Sequence, residues 1–205
     1  LSKSSKIIDV GCGRGKILGY LSIKLRFKTK PLGIDLKNHK DKNKKFYFKK
    51  IDALTFFKQN KKTFDLILIK QTIHLLQINE IKKLLSLCKN TLSSNGKIII
   101  FFLDPVQNQI PTFSLMAKQL RLSLRRDQKI IKLISKKFPK SIAKRFIFNV
   151  KISKKKYLKM IKNRYISTLL WFSNEEIIKG ANEINLKYNS VLKFKDKLRC
   201  IIIKK

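Results

Sequence analysis

Short apolar runs alternate along the first half of the chain with segments in which apolar residues recur every three or four positions. A short apolar run predicts a strand that is buried on both faces, and the wider spacing predicts an amphipathic helix. The pattern therefore predicts five strands in this half of the chain, at residues 7–10, 31–36, 46–53, 64–69 and 97–103.

Helices and turns fill the spaces between these strands. Apolar positions predict a first helix over residues 15–27 and a clear helical stripe over residues 78–92. Residues 36–45 are rich in Lys and Asn and predict a loop or a short helix, residues 55–62 predict a polar connection, and Asn95-Gly96 predicts a turn. This alternation predicts an α/β protein with a doubly wound, mostly parallel sheet and helices on both faces.

The pattern changes after the fifth strand. Residues 105–172 contain no obvious strand and are expected to form a helical insertion. Asn174 begins a further helix with acidic residues in its first turn, and Ser173 is its expected N-cap. Two late strands near residues 190–194 and 198–203 then complete a sheet of seven.

A Gly-rich turn follows the first strand. Its sequence, Asp9-Val10-Gly11-Cys12-Gly13-Arg14-Gly15, places three glycines at alternate positions directly before the first helix. Glycine lets the backbone approach a ligand where a Cβ would collide. The dinucleotide fingerprint G-x-G-x-x-G is not met, because Lys16 stands where its third glycine belongs. The turn instead reads D-x-G-x-G-x-G.

Acidic residues stand at the edges of the apolar runs in a chain that has few of them. The sequence holds 49 Lys and Arg but only 12 Asp and Glu, and Asp9, Asp35, Asp52 and Asp65 each lie beside a predicted strand. In open α/β sheets, ligands bind outside the carboxyl ends of the strands. The first three acids, in register with three strands, therefore predict a ligand site, although each alone is equally a loop carboxylate or a helix cap.

Together the turn and the acids resemble the class I S-adenosylmethionine-dependent methyltransferases, over residues 6–103. The resemblance implies a seven-stranded sheet with an antiparallel last strand, S-adenosylmethionine (SAM) as the cofactor, and methyl transfer as the reaction. It implies that Asp35 accepts both ribose hydroxyls, that Asp52 meets the adenine amino group, and that Asp9 lies near the ammonium group of the ligand. The implied cofactor-binding residues are Asp9, Gly11, Cys12, Gly13, Gly15, Asp35, Leu36, Asp52, Ala53 and Lys70.

His74 follows the fourth strand, in the loop that borders the transferred methyl group in this family. It is the candidate catalytic base for an acceptor that must lose a proton, whereas a carboxylate acceptor needs no base. A structural role for this histidine is the alternative. Cys12 is not expected to be a nucleophile, because in this motif the backbone of that position makes the contact.

The stretch 159–176 is similar to the region before the last sheet helix in methyltransferases of the ubiquinone-biosynthesis and trans-aconitate types. This resemblance implies that the insertion 105–172 covers the substrate. Arg164 would then clamp a carboxylate of the acceptor, and Tyr165 and Trp171 would line its pocket. The alternative is an amphipathic helix whose aromatic residues lie in the core.

The net charge of +37 is extreme. A protein this basic is drawn to polyanions such as RNA, and to anionic membranes. Lys far outnumbers Arg, however, and the abundance of Lys, Ile, Asn and Phe is typical of an AT-rich genome, which gives the charge a compositional origin. One predicted helix, 118–136, carries a continuous basic face formed by Lys118, Arg121, Arg125, Lys129, Lys132 and Lys136. A solvated face above a packed apolar face is its simpler interpretation.

Length and cysteine usage limit the class of protein. The 205 residues are expected to form one domain, residues 1–205. No apolar run approaches the ~18 residues of a membrane span and no signal-peptide pattern is present, so we expect no transmembrane segment and a cytoplasmic location. The three cysteines are far apart and predict neither zinc nor a disulfide. Family members carry helical residues before the first strand, so a truncated amino end is expected.

The sequence leaves three functions open. The first is methyl transfer to a small-molecule acceptor, with a carboxylate among the candidate groups. The second is an RNA methyltransferase that uses the basic insertion to hold phosphates, although the Asn/Asp-Pro-Pro-aromatic motif of adenine-N6 enzymes and the Pro-Cys of cytosine-C5 enzymes are both missing. The third is a SAM-binding remnant without turnover. The methylated atom and the oligomeric state do not follow from the sequence.

Overall fold

A computed structural model describes residues 1–106 and 108–205; Gln107, which the predicted insertion includes, lies outside these residues. The strands form one seven-stranded sheet in the order β3-β2-β1-β4-β5-β7-β6. In chain order the elements are β1 Ile7–Val10, α1 Lys16–Leu25, β2 Leu32–Asp35, β3 Tyr47–Lys50, α2 Ala53–Gln59, β4 Phe64–Lys70, α3 Ile78–Asn90, β5 Leu92–Leu103, α4 Ser114–Lys137, β6 Ile142–Ser153, α5 Lys154–Lys162, α6 Asn174–Lys187 and β7 Val191–Lys204. Short 3-10 helices lie at Ile73–Leu75 and Ser167–Trp171.

The chain divides into two compact units. The first unit comprises residues 1–101, 133–144 and 200–205, and the second comprises residues 102–132 and 145–199. No helix within the residues that the structure describes is long and apolar enough to cross a membrane.

Parallel pairing organises the sheet of the first unit. β1 pairs with β2 on one side and with β4 on the other, while β3 pairs with β2 and β5 pairs with β4, all in parallel. β1 is buried at all of its positions, and Ile8 and Ile67 are completely inaccessible. The predicted α/β fold with a mostly parallel sheet is therefore confirmed, and the carboxyl ends of β1 to β4 meet at one edge.

The polar connection predicted at 55–62 was wrong, because most of it is helix α2. Asp52 caps this helix, accepting a hydrogen bond from Thr55 N at 3.0 Å. Phe56 and Phe57 are both buried, so the helix is held by its aromatic pair. The helix cap, the alternative role given above for this acid, is the local signal for the start of α2.

The turn predicted at Asn95-Gly96 lies inside β5, which begins earlier than expected. The register jumps between the pairs Phe64–Leu92 and Leu66–Lys97, so β5 bulges out where the turn was predicted. The predicted turn was therefore wrong, because pairing with β4 continues on both sides of the bulge.

β6 corrects the expectation that residues 105–172 contain no strand and form a wholly helical insertion. Its side chains are exposed from Ile142 to Asn149. The apolar residues Phe148, Val150 and Ile152 nevertheless alternate with polar ones, a strand signal that the prediction of a helical segment did not use. An ion pair also stabilises β6: Asp104 Oδ2 lies 3.1 Å from Arg145 Nε of β6 and 3.8 Å from Arg199 Nη2 of β7.

The two late strands predicted at 190–194 and 198–203 are one continuous strand, β7. Asp104 N donates to Lys197 O at 2.8 Å and Lys205 N donates to Gly96 O at 3.2 Å, so β7 runs antiparallel to β5. The antiparallel last strand is thereby confirmed.

The predicted cap of α6 is also confirmed. Ser173 Oγ accepts from Glu176 N at 3.2 Å, and Glu176 Oε2 accepts from Ser173 N at 2.7 Å, which forms a capping box.

Candidate functional site

The Gly-rich turn after β1 is built from left-handed backbone. Gly11, Gly13 and Gly15 have φ values of 72°, 52° and 65°, a region that costs other residues roughly 1–2 kcal/mol. The amides of Gly11 and Cys12 donate to Ile34 O at 2.8 and 3.1 Å, and Gly15 N donates to Cys12 O at 2.8 Å. The turn is therefore fixed to the end of β2 and leads directly into α1.

The three glycines differ in what surrounds them. A Cβ on Gly11 would collide with the side chain of Thr72, and a Cβ on Gly15 would collide with the ring of Phe46. A Cβ on Gly13 would meet nothing within 4 Å. Gly13 therefore faces open space, which is the arrangement required where backbone approaches a ligand.

Asp35, the last residue of β2, links the turn to the following loop. Its Oδ2 accepts from Gly13 N at 2.8 Å and its Oδ1 accepts from Lys37 N at 2.9 Å. A carboxylate has about four lone-pair positions, so Asp35 keeps acceptor capacity for a ligand hydroxyl.

Asp9 is the buried acid of the site, with a relative exposure of 3%. Burial raises its pKa to about 7; the Lys70 ammonium acts against this rise, and the Asp35 carboxylate adds to it. The structure therefore brings Asp9, Asp35 and Lys70 into one electrostatic group. A cationic ligand group beside Asp9 would favour its charged form.

Asp52 and its neighbours lie at the same strand edge. Asp52 follows β3, and its hydrogen bonds with Thr55 lower its pKa. The helix-cap alternative is thus confirmed for Asp52. Asp52 also follows the carboxyl end of β3, where the sequence predicts an acid that contacts the ligand. Ala53 begins α2, and Leu36, next to Asp35, is 68% exposed.

His74 and Cys12 are two further groups near this edge with basic or nucleophilic chemistry. His74 is half-buried in the 3-10 helix that follows β4. Burial raises the pKa of the Cys12 thiol to about 12, and the carboxylates of Asp9 and Asp35 add to the rise. The thiol therefore stays protonated near neutral pH, which argues against a nucleophilic role.

Residues 8–100 match a family model described as a methyltransferase domain. The match supports a class I SAM-dependent methyltransferase domain over these residues. The domain covers β1 to β4, most of β5, and every cofactor-binding residue that the sequence implied. SAM is the cofactor of this family.

Solved structures with the same fold include several methyltransferases. A SAM-dependent methyltransferase from Archaeoglobus fulgidus is 21% identical with a TM-score of 0.56, over 98% of this chain and 86% of that one. A putative methyltransferase of an antibiotic biosynthesis pathway from Anabaena variabilis is 14% identical with a TM-score of 0.67, over 98% of this chain and 91% of that one. The plantazolicin methyltransferase BpumL, solved with a monoazolic desmethyl analog and SAH, is 19% identical with a TM-score of 0.52, over 98% and 76%. A search of curated proteins returned no match.

Two side chains outside the predicted site residues shape the Gly-rich turn. The side chain of Thr72 covers Gly11, and its hydroxyl donates to Lys70 O at 3.1 Å. Arg14 pairs with Asp41 at 2.7 Å, which ties the turn to the loop after β2. Neither contact has a local sequence signal, because each joins distant segments.

Arg164 and Tyr165 belong to the second unit. The Nη2 of Arg164 donates to Phe172 O at 2.7 Å and to Asn174 Oδ1 at 3.1 Å, so its guanidinium joins the end of α5 to the start of α6. Tyr165 and Trp171 are 39% and 70% exposed and therefore do not lie in the core. A role of Arg164 or Tyr165 towards an acceptor stays a prediction.

Proposed function

We propose that this protein transfers a methyl group from SAM to a small organic acceptor. The observation that carries the proposal is the edge of the methyltransferase domain, where Gly13 faces open space beside the carboxylate of Asp35, which interacts with the buried Asp9. Open backbone next to an acid, with a second acid behind it, suits a ligand that presents hydroxyls and an ammonium group.

The residues fit SAM group by group. Asp35 has free lone pairs for ribose hydroxyls, and Asp9 offers a negative charge to the amino-acid ammonium. Asp52, Ala53 and Leu36 offer a carboxylate and apolar surface to the adenine. When bound, SAM supplies a methyl group activated by its sulfonium, and the protein has to align the acceptor with it and exclude water.

The acceptor decides whether a base is needed. His74, in the 3-10 helix after β4, would take a proton from an O–H or N–H acceptor, whereas a carboxylate acceptor would need only positioning. BpumL, which has a similar fold and was solved with a monoazolic desmethylPZN analog and SAH, supports an organic small molecule as the acceptor. Arg164 is the candidate partner of an acceptor carboxylate. The carboxylate would compete for its guanidinium with Phe172 O and Asn174 Oδ1.

Incubation with methyl-labelled SAM and an extract of the source cells tests the proposal. RNA, protein and small molecules are separated afterwards, and the Asp35→Ala variant serves as the control. Label in the small-molecule fraction that disappears with the variant supports the proposal. Label confined to RNA or protein contradicts it, as does no transfer at all, which would indicate a SAM-binding remnant.

An RNA acceptor is the second candidate, and the surface of α4 favours it. The six basic residues predicted to form one face are all exposed, namely Lys118, Arg121, Arg125, Lys129, Lys132 and Lys136. Reversal of Arg121, Arg125 and Lys129 to Glu tests it against the same reversal of Lys82, Lys83 and Lys89 on α3. A larger loss of RNA binding from the α4 variant would favour RNA, since the net charge changes equally.

The cytoplasmic location predicted from the sequence is part of this proposal. Fractionation of the source cells, followed by detection of the protein in each fraction, tests it directly.

A further inference from the structure

A cavity of about 870 Å³ lies in the first unit, at the amino ends of its strands. Its walls come from the starts of β1 and β2, from β3, from the end of α2, and from the loop that leads into β4. The cofactor residues follow the opposite, carboxyl ends of the same strands. The cavity is therefore separate from the methyltransferase site, at a distance of about one strand length, or roughly 13 Å for four residues.

The floor of this amino-end cavity is apolar and rich in rings. Pro31, Leu32, Tyr47, Phe56 and Phe64 all line it. The cavity is open because β3 is the edge strand of the sheet and α2 is only 7 residues long. Tyr47 consequently remains 60% exposed although its ring faces the cavity. Flat rings at one wall favour a ligand with an aromatic body.

The rim of the amino-end cavity carries only positive charge. Lys6, Lys30, Lys49, Lys61 and Lys62 line it, and its lining includes neither Asp nor Glu. Two of these ammonium groups are held by rings of the floor.

Those two contacts fix where the positive charge lies. Lys30 Nζ lies 5.7 Å from the centre of the Tyr47 ring, and Lys49 Nζ lies 5.7 Å from the centre of the Phe56 ring. An ammonium above a ring is attracted by the negative face of the ring. The contacts keep both charges beside the apolar floor, where they complement an anion attached to an aromatic body.

We propose that the amino-end cavity binds a small aromatic molecule that carries one anionic group. Its volume falls within the range of small-molecule sites, which is roughly 300–1,000 Å³. The ring system would lie against Tyr47 and Phe56, and the anion would lie between Lys30 and Lys49. This proposal does not depend on the acceptor of the methyl group.

Isothermal titration calorimetry with two matched probes tests it. Naphthalene-2-carboxylate presents an aromatic body and one anion, and naphthalene-2-carboxamide has nearly the same shape without the charge. The test variant is Lys30→Glu/Lys49→Glu. The control variant is Lys82→Glu/Lys83→Glu, which makes the same change of net charge at exposed positions of α3.

The carboxylate should bind with a stoichiometry of one, and the test variant should weaken it by about tenfold or more, since two attractive charges become repulsive. The control variant should stay within about twofold of the wild type. A second variant, Tyr47→Ala, removes an exposed ring and should weaken both probes even if the charge variant does not fold. Equal binding of both probes, equal loss in both charge variants, or no binding of the carboxylate would each overturn the proposal.

Discussion

The three glycines of the Gly-rich turn are equivalent in backbone conformation but differ in their surroundings. All three have positive φ, so each replacement by alanine costs roughly 1–2 kcal/mol of stability. Only Gly13 has room for the added methyl group, whereas Gly11 and Gly15 face Thr72 and Phe46. The room at Gly13 is therefore what the proposed SAM site requires at this position.

Substitution of the glycines separates stability from binding. Gly11→Ala and Gly15→Ala should lower the melting temperature more than Gly13→Ala, because they add a collision to the backbone cost. Gly13→Ala should nevertheless abolish SAM binding. Thermal unfolding and calorimetric titration of the three variants measure both effects, and SAM affinity of Gly13→Ala equal to the wild type would contradict the assignment.

The buried carboxyl of Asp9 makes stability depend on pH. Its pKa rises from 3.8 to about 7 on folding, so between these values the folded state binds more protons than the unfolded state. The free energy of unfolding should therefore fall as pH rises from about 4 to 7 and change no further through this group above that range.

Asp9→Asn tests this linkage. The amide does not ionise, so the stability of the variant relative to the wild type should increase across the same window and level off above about pH 7. Denaturant unfolding at a series of pH values gives this difference. A difference that does not vary between pH 4 and 7 would show that Asp9 is not the titrating group.

The elements that could be predicted are those with a local signal. Short-range spacing in the sequence predicts the turn at residues 11–15 and the strand-end acids Asp35 and Asp52. In β6 such a signal is confined to the end of the strand, where Phe148, Val150 and Ile152 alternate with polar residues. The pair of Asp104 with Arg145, which stabilises the strand, joins residues far apart in the chain. Contacts of that kind become visible only in the folded structure.

The segment between α5 and α6 depends on Arg164. Its guanidinium donates to Phe172 O and Asn174 Oδ1, and hydrogen bonds of a charged group contribute about 1.5–3 kcal/mol before the partial exposure of this side chain reduces them. Arg164→Ala should therefore lower the melting temperature.

Comparison with Arg164→Lys distinguishes this structural role from recognition of the acceptor. Lysine keeps the charge but not the fork of donors. If Arg164 only joins the two helices, kcat/KM should follow stability in both variants. A variant with the wild-type melting temperature and a raised KM for the acceptor would instead support the predicted carboxylate clamp.

The charge of the whole molecule acts on its stability. A net charge of +37 on 205 residues produces self-repulsion in the compact state. Salt screens this repulsion, with a Debye length of about 10 Å at 0.1 M. The melting temperature should therefore rise as NaCl increases from 0.05 to about 0.5 M, and a fall over this range, measured by calorimetry, would contradict a repulsive origin.

The whole-molecule assignment rests on the match of residues 8–100 to a methyltransferase domain and on the strand-end site within it. Asp35 is the residue that joins the two, because it holds the turn and is the proposed acceptor of the ribose hydroxyls. Asp65 is a suitable control, since it also accepts from a backbone amide, Lys6 N at 2.7 Å, but lies at the amino end of β4.

Titration of SAM into the wild type, Asp35→Ala and Asp65→Ala by isothermal calorimetry is the most direct test. The wild type should bind one SAM, Asp35→Ala should lose about 1.5–3 kcal/mol of binding free energy because two hydroxyls lose a charged acceptor, and Asp65→Ala should bind as the wild type does. Absence of SAM binding by the folded wild type, or unchanged affinity in Asp35→Ala, would contradict the account.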